Sequence, residues 1–195
     1  MEKVNESDFI YAEILPKWIS NAKDNLEEKL KDDDFRRILD FFVIFTPCKE
    51  LSARAKPLKE KYGWKSKREL KRLTTALRNS LPKGNIFKFS NKWIKMKAVL
   101  AEADLIDNFP SNIKDERCGF YQKSKQNQAN CIFYHLRNCL AHGRFCIREK
   151  DGDWTFIFED VEKNSKVSAR MILKKSTLLR WIEIIEGGEA SLAST

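Results

Sequence analysis

The sequence predicts a mainly α-helical domain that closes with a small antiparallel sheet and one last helix. Three observations carry this expectation. Apolar residues recur at helical spacing through most of the first two-thirds of the chain. After Gly143 the period changes to two: residues 144–149 and 154–160 alternate around Lys150-Asp151-Gly152-Asp153, a hairpin sequence. Helical spacing then returns after Ser176 through Leu178, Leu179, Trp181, Ile182 and Ile185, up to Gly187-Gly188.

The elements follow in order. Residues 18–30 open after Pro16 and carry Ile19, Ala22, Leu26 and Leu30 on one face, which predicts a helix. Residues 34–45 are apolar almost all round, so that helix is expected at the centre of the core, with Pro47 beyond it. Asp32-Asp33-Asp34 in front of it reads as a solvated cap rather than a metal site. Ser66 and Glu69 form a capping box that opens a helix running to about Ser80, where Leu81-Pro82-Lys83-Gly84 stops it. Residues 91–106 predict a further helix through Trp93, Ile94, Met96, Val99, Leu100 and Ala103. Residues 109–125, broken by Pro110 and Gly119, read as a loop, and residues 126–142 as a helix ended by Gly143. A third strand is expected over 167–173, and Ser176 as the cap of the last helix. Residues 1–188 are read as a single domain and 189–195 as a disordered tail.

Composition narrows the class. The chain has 195 residues, 42% of them hydrophobic, enough for a core that does not depend on disulfides. Its five cysteines are odd in number and show no CxxC spacing, which suits a reducing compartment. There is no uncharged apolar stretch of about 18 residues, so no membrane span is expected. The first eight residues are mixed in charge without an apolar core, and a cytoplasmic protein is expected. The net charge of +9 is unevenly spread: residues 56–97 hold 14 Lys/Arg against Glu60 and Glu69. That block is either a polyanion-facing surface or a solvated helical face.

Chemistry concentrates in residues 133–145, Phe-Tyr-His-Leu-Arg-Asn-Cys-Leu-Ala-His-Gly-Arg-Phe, which contain both histidines of the chain, His135 and His142. Asn138 and His142 are four apart and share a helical face. Arg137 lies about 140° round from His142, at 100° per residue, within reach of a long side chain. Arginine and histidine together suit RNA cleavage. The RNA supplies its own nucleophile, histidine titrates near neutral pH, and a guanidinium stabilises the negative phosphate of the transition state. No metal or other cofactor is expected. One histidine serves one of the two proton transfers, so a symmetric dimer that pairs two such helices would complete the site.

Arg137-Asn138-x-x-x-His142, with Ala141-His142-Gly143 at its end, resembles the signature of the HEPN superfamily. The resemblance implies a helical bundle with an Arg-x(4–6)-His motif on a late helix, in a homodimer whose motifs meet at the interface. It implies metal-independent ribonuclease activity leaving 2′,3′-cyclic phosphate, in toxin-like, abortive-infection or phage-defence roles, with an antitoxin or regulatory partner. Arg137 would then bind phosphate, His142 act as acid/base and Asn138 orient them. The sheet and last helix after the motif resemble small bacterial members. Some members of the superfamily lack catalysis, so a non-catalytic RNA- or protein-binding module stands as an alternative.

Other residues have two readings. Arg144 and Arg148, on one strand face, together with His135, Lys88 and Lys92, are candidate RNA contacts; ordinary surface cations are the alternative. Phe87 and Phe89 are candidates for base stacking, while Trp93 reads as core. Cys131, His135 and Cys139 at i, i+4 and i+8 read as packing rather than a metal set, because ligands so spaced along a straight helix do not converge. A DNA-binding regulator built on residues 65–80 and 91–106 is disfavoured, since the intervening segment is long for a helix-turn-helix.

Overall fold

The computed structural model describes residues 9–11, 26–49, 51–82, 84–106, 113, 115–150 and 152–189. Its elements in chain order are α1 (Leu26–Lys29), α2 (Asp33–Leu39) running into a π-helical turn (Asp40–Ile44), α3 (Leu58–Lys61), α4 (Lys67–Asn79) and β1 (Ile86–Ser90). A 3-10 turn (Trp93–Lys95), α5 (Met96–Glu102), β2 (Arg117–Tyr121) and α6 (Gln128–Ala141) follow. The chain continues through β3 (Phe145–Lys150), β4 (Asp153–Val161), β5 (Val167–Lys174) and α7 (Lys175–Gly187).

The architecture is α/β, which corrects the mainly helical expectation. A five-stranded mixed sheet of order β1-β2-β5-β4-β3 organises the molecule. The three strands expected after the motif helix are present, and the β3–β4 hairpin closes with Lys150 opposite Asp153 and Gly152 at φ +77°. They extend a sheet whose other two strands stand earlier in the chain. β1 pairs with β2 in parallel, Phe87 opposite Cys118, and β2 pairs antiparallel with β5. The expected loop over 109–125 therefore holds a buried strand. Gly119, read as a loop breaker, sits where a Cβ would come within 2.8 Å of Leu100 Cδ2. It is the point at which α5 lies directly on the sheet.

The strands divide their side chains by parity. Phe87, Phe120, Phe156, Phe158, Met171 and Ile147 face the large core with α2, α4, α6 and α7. Ile157, Ile172 and Cys146 face a smaller core with Met96 and Leu100 of α5. Aromatic residues fill the large core. Phe35 packs against Phe145, Trp154 and Phe156, and Phe42 packs against Phe133 of α6. Both buried indoles are satisfied: Trp64 donates to the Ile185 carbonyl at 3.1 Å, Trp181 to that of Leu77 at 3.1 Å.

Several local readings hold. Asp32 caps α2 by accepting from Phe35 N, and Ser66 and Glu69 form the capping box of α4. Others change. The helix expected over 91–106 is a 3-10 turn followed by the shorter α5. The last helix begins after Lys174, while Ser176 donates to Asp153 instead of capping. Of the helix expected over 18–30, Leu26–Lys29 is helical and the residues before it lie outside the described ones, as does the tail from 190 onwards. Among the described residues, no helix is long and apolar enough to cross a membrane.

Candidate functional site

The motif helix α6 is built for precision at both ends. Asn127 caps its start by accepting from Asn130 N at 2.8 Å. At its end, Arg144 N bonds Cys139 O at 2.8 Å, Gly143 N bonds Leu140 O at 3.4 Å, and Gly143 takes φ +63°. This is a Schellman termination, which satisfies carbonyls the helix would otherwise leave open. Ala129, Ile132, Phe133, Leu136 and Leu140 bury one face of the helix. Arg137 and Asn138 stand half-buried at its margin, and His142, the C-cap, is exposed.

A chain of hydrogen bonds crosses this helix. His135 Nε2 lies 2.8 Å from the Tyr121 carbonyl, and Nδ1 lies 2.6 Å from Asp160 Oδ2. The same Asp160 oxygen accepts from Asn138 Nδ2 at 3.4 Å. Asn138 Oδ1 accepts from Arg137 Nη1 at 3.4 Å, and Arg137 Nη2 donates to the Leu51 carbonyl at 3.0 Å. Arg137 Nε is buried with no partner among the described residues. Arg137 is thus held from both sides, by α6 itself and by the segment after the π-helical turn.

His135 faces an acceptor at each ring nitrogen, so both nitrogens carry protons and the ring is an imidazolium. Burial alone would lower its pKa, but the hydrogen bond and charge of Asp160 outweigh that and push it up to about 10. With 1% of its surface exposed, His135 is a buried ion-pair partner joining α6 to β2 and β4. Its expected role as an RNA contact does not fit this position. Cys131 donates to the Tyr121 carbonyl, and Cys131 and Cys139 are buried free thiols, in keeping with packing. Burial pushes the Cys139 thiol well above its ordinary value. Among the described residues, no group of three or more His, Cys, Asp or Glu converges as a metal site.

The other expected contacts do not gather around Arg137. Arg144 donates to the Glu159 carboxylate at 2.6 Å, which Arg170 also binds at 2.9 Å, and Arg170 reaches the Leu105 carbonyl at 2.7 Å. Arg148 pairs across the sheet with Thr155, on the face shared by Cys146 and Ile157, away from α6. Lys88 meets Glu102 of α5 at 2.9 Å, and Lys92 is exposed in the turn before α5. Phe87 and Phe89 pack on Phe120 inside the large core, so neither is placed for stacking, whereas Trp93 stacks on Tyr121 with centroids 3.9 Å apart. Sequence reasoning missed Asp160. The available signal was a carboxylate on the core-facing parity of a strand that otherwise places Trp154, Phe156 and Phe158 on that side.

Comparison with known proteins agrees with the motif. No curated protein and no solved structure matches the chain. The family described as HEPN pEK499 p136 matches residues 64–186, a span from the start of the capped helix α4 through the sheet and α6 to the end of α7. Because that span is more than half of the sequence and contains Arg137, Asn138 and His142, the chain belongs to the HEPN family.

Proposed function

We propose that this protein is an endoribonuclease acting through Arg137 and His142, with Asn138 as the residue that orients the arginine. The observation that carries the reading is the Asp160–Asn138–Arg137 chain. It fixes a guanidinium at the margin of α6, and the exposed imidazole of His142 follows on the same helix within five residues. HEPN membership supports an RNA-related role.

In the proposed reaction His142 takes the proton of a ribose 2′-hydroxyl, whose oxygen attacks the adjacent phosphorus. The bond from phosphorus to the 5′-oxygen breaks, and that oxygen receives a proton. The products are a 2′,3′-cyclic phosphate and a 5′-hydroxyl. Arg137 exchanges its Leu51 carbonyl for a non-bridging phosphate oxygen and stabilises the charge that develops there. A homodimer pairing two α6 helices supplies the second histidine as the acid. The same helices carry the proposed dimer interface, over residues 130–148. Because the substrate brings its own nucleophile, the reaction as proposed requires no metal. A toxin-like or defence role, held in check by a partner, follows from family resemblance.

The test is cleavage of end-labelled RNA by wild type and His142→Ala in EDTA, with end-group analysis. Cleavage by the wild type alone, leaving cyclic phosphate, is the expected result. Loss of wild-type cleavage in EDTA overturns metal independence. Activity that survives Arg137→Ala combined with His142→Ala overturns the site. RNA binding without cleavage by a folded wild-type dimer supports the non-catalytic reading instead.

A further inference from the structure

We propose that the groove between α4 and α7 is a second binding site, separate from Arg137 and His142, for the sugar-phosphate backbone of RNA. This rests on the reading of the chain as an RNA-cleaving protein and adds a contact for the same substrate. The groove has a volume of about 760 Å³, and cations converge on it from two elements: Arg68, Lys71 and Arg72 from α4 and Arg180 from α7. Glu183 is the acid among the lining residues, and it is engaged by Arg180 at 3.0 Å. Arg72 is met by Glu189 at the rim. Among the described residues, Arg68 and Lys71 form no ion pair, and both are exposed.

A merely solvated helical face spreads its charges over a convex surface. Here the cations line a concave one between two packed helices, where a low-dielectric wall concentrates their field. Three of the four are arginines, whose forked donors match phosphate oxygens. Thr75 and Asn79 continue the α4 wall with neutral hydrogen-bonding groups, and Ala76 and Ile184 contribute apolar surface. The groove gives an outlet to the basic block of residues 56–97, which the motif site leaves unused.

Position favours a polymer over a mononucleotide. α4 packs against both α7 and α6, so the groove lies one helix away from the motif helix. Packed helices are separated by about 8–10 Å. A single RNA strand carries phosphates at regular intervals, so several nucleotides can run along a groove lined by spaced cations.

The test measures binding of a labelled single-stranded RNA of about 20 nucleotides, across a salt series, in the His142→Ala protein and in the same protein carrying Arg68→Ala and Lys71→Ala. Both residues are exposed, and an unchanged melting temperature confirms the fold. Affinity is expected to fall about tenfold or more. The slope of log affinity against log salt should shrink by roughly 1.4, two phosphates at about 0.7 each for a single strand. The charge-conserving pair Arg68→Lys with Lys71→Arg should keep most of the slope. Unchanged affinity and slope, or no RNA binding by the parent protein, overturns the proposal. Binding of a poly-glutamate peptide that depends on Arg68 and Lys71, with RNA binding unaffected, also overturns it and assigns the groove to an acidic protein partner. Since binding is read in protein lacking His142, a wild type that fails to cleave RNA overturns the nuclease reading and leaves this measurement intact.

Discussion

Two histidines seven residues apart on one helix have opposite surroundings. His135 is sealed between Asp160 and the Tyr121 carbonyl, protonated and almost without exposure. His142 ends the same helix in the open, with its backbone N–H bonded to Asn138 O at 3.0 Å. Two turns of α-helix bring residues seven apart back to nearly the same face, so helical phase does not separate them. What separates them is what the sheet brings to each level: β2 and β4 cross beneath His135, and the chain turns away at Gly143 just after His142. A group pinned as an imidazolium by two acceptors is not free to exchange its proton, so the proposed acid/base role falls to the exposed His142.

The strongest way to test that contrast is to remove each ring in turn. His142→Ala should lower the rate of RNA cleavage by about 10²–10⁴-fold, the ordinary contribution of a general acid or base. Its melting temperature should stay within a degree or two of wild type, because the exposed ring has little packing to lose. If His142→Ala unfolds the protein, or if cleavage persists, the division of labour between the two histidines is wrong.

His135 should respond in the opposite sense. His135→Leu leaves Asp160 buried without its cation, and breaking such a pair costs about 3–5 kcal/mol of stability. Chemical denaturation reads this directly. pH refines it, using His135→Gln as a neutral comparison. The folded pKa of His135, about 10, lies above the ordinary value of 6.5, so its contribution is complete below pH 6.5 and is lost as pH rises through about 10. The stability difference between wild type and His135→Gln should therefore be largest at pH 6 and shrink steadily toward pH 10. A difference that stays constant across that range would mean the pair is not ionised as described.

The same contrast shows what a sequence can and cannot disclose. The α4 capping box and the β3–β4 hairpin are local, written in residues three or four apart, and both were legible. Arg137, Asn138 and His142 were legible as a motif because they too are local. β2 was hidden since all but its last residue are buried, which removes alternation, and because its parallel partner β1 stands 31 residues away in register, Ile86 opposite Arg117. Gly119 deepened the error. It breaks the strand pattern for a reason outside the strand, the approach of Leu100 from α5. Asp160 was hidden for a similar reason. Its significance depends on His135 and Asn138, which reach it from 25 and 22 positions away. Burial, likewise, distinguishes the two histidines only once β2 and β4 are in place.

The smallest effect tests how His142 is held. Gly143 adopts φ +63°, and a Cβ placed there meets nothing within 4 Å. The cost of Gly143→Ala is therefore conformational rather than steric, about 1–2 kcal/mol for a left-handed residue, and the melting temperature should fall by a few degrees. Gly143→Asn should lose less, since asparagine tolerates this conformation better. Stability and activity then separate two possibilities. If the Schellman turn serves only to end α6, cleavage by folded Gly143→Ala at low temperature should match wild type. If it also sets the direction of the His142 ring, the rate should drop while RNA binding is kept, and Gly143→Asn should recover rate and stability together. The second outcome is expected, because His142 is the residue immediately before the turn and its own backbone, at φ −101° and ψ 7°, has already left helical geometry.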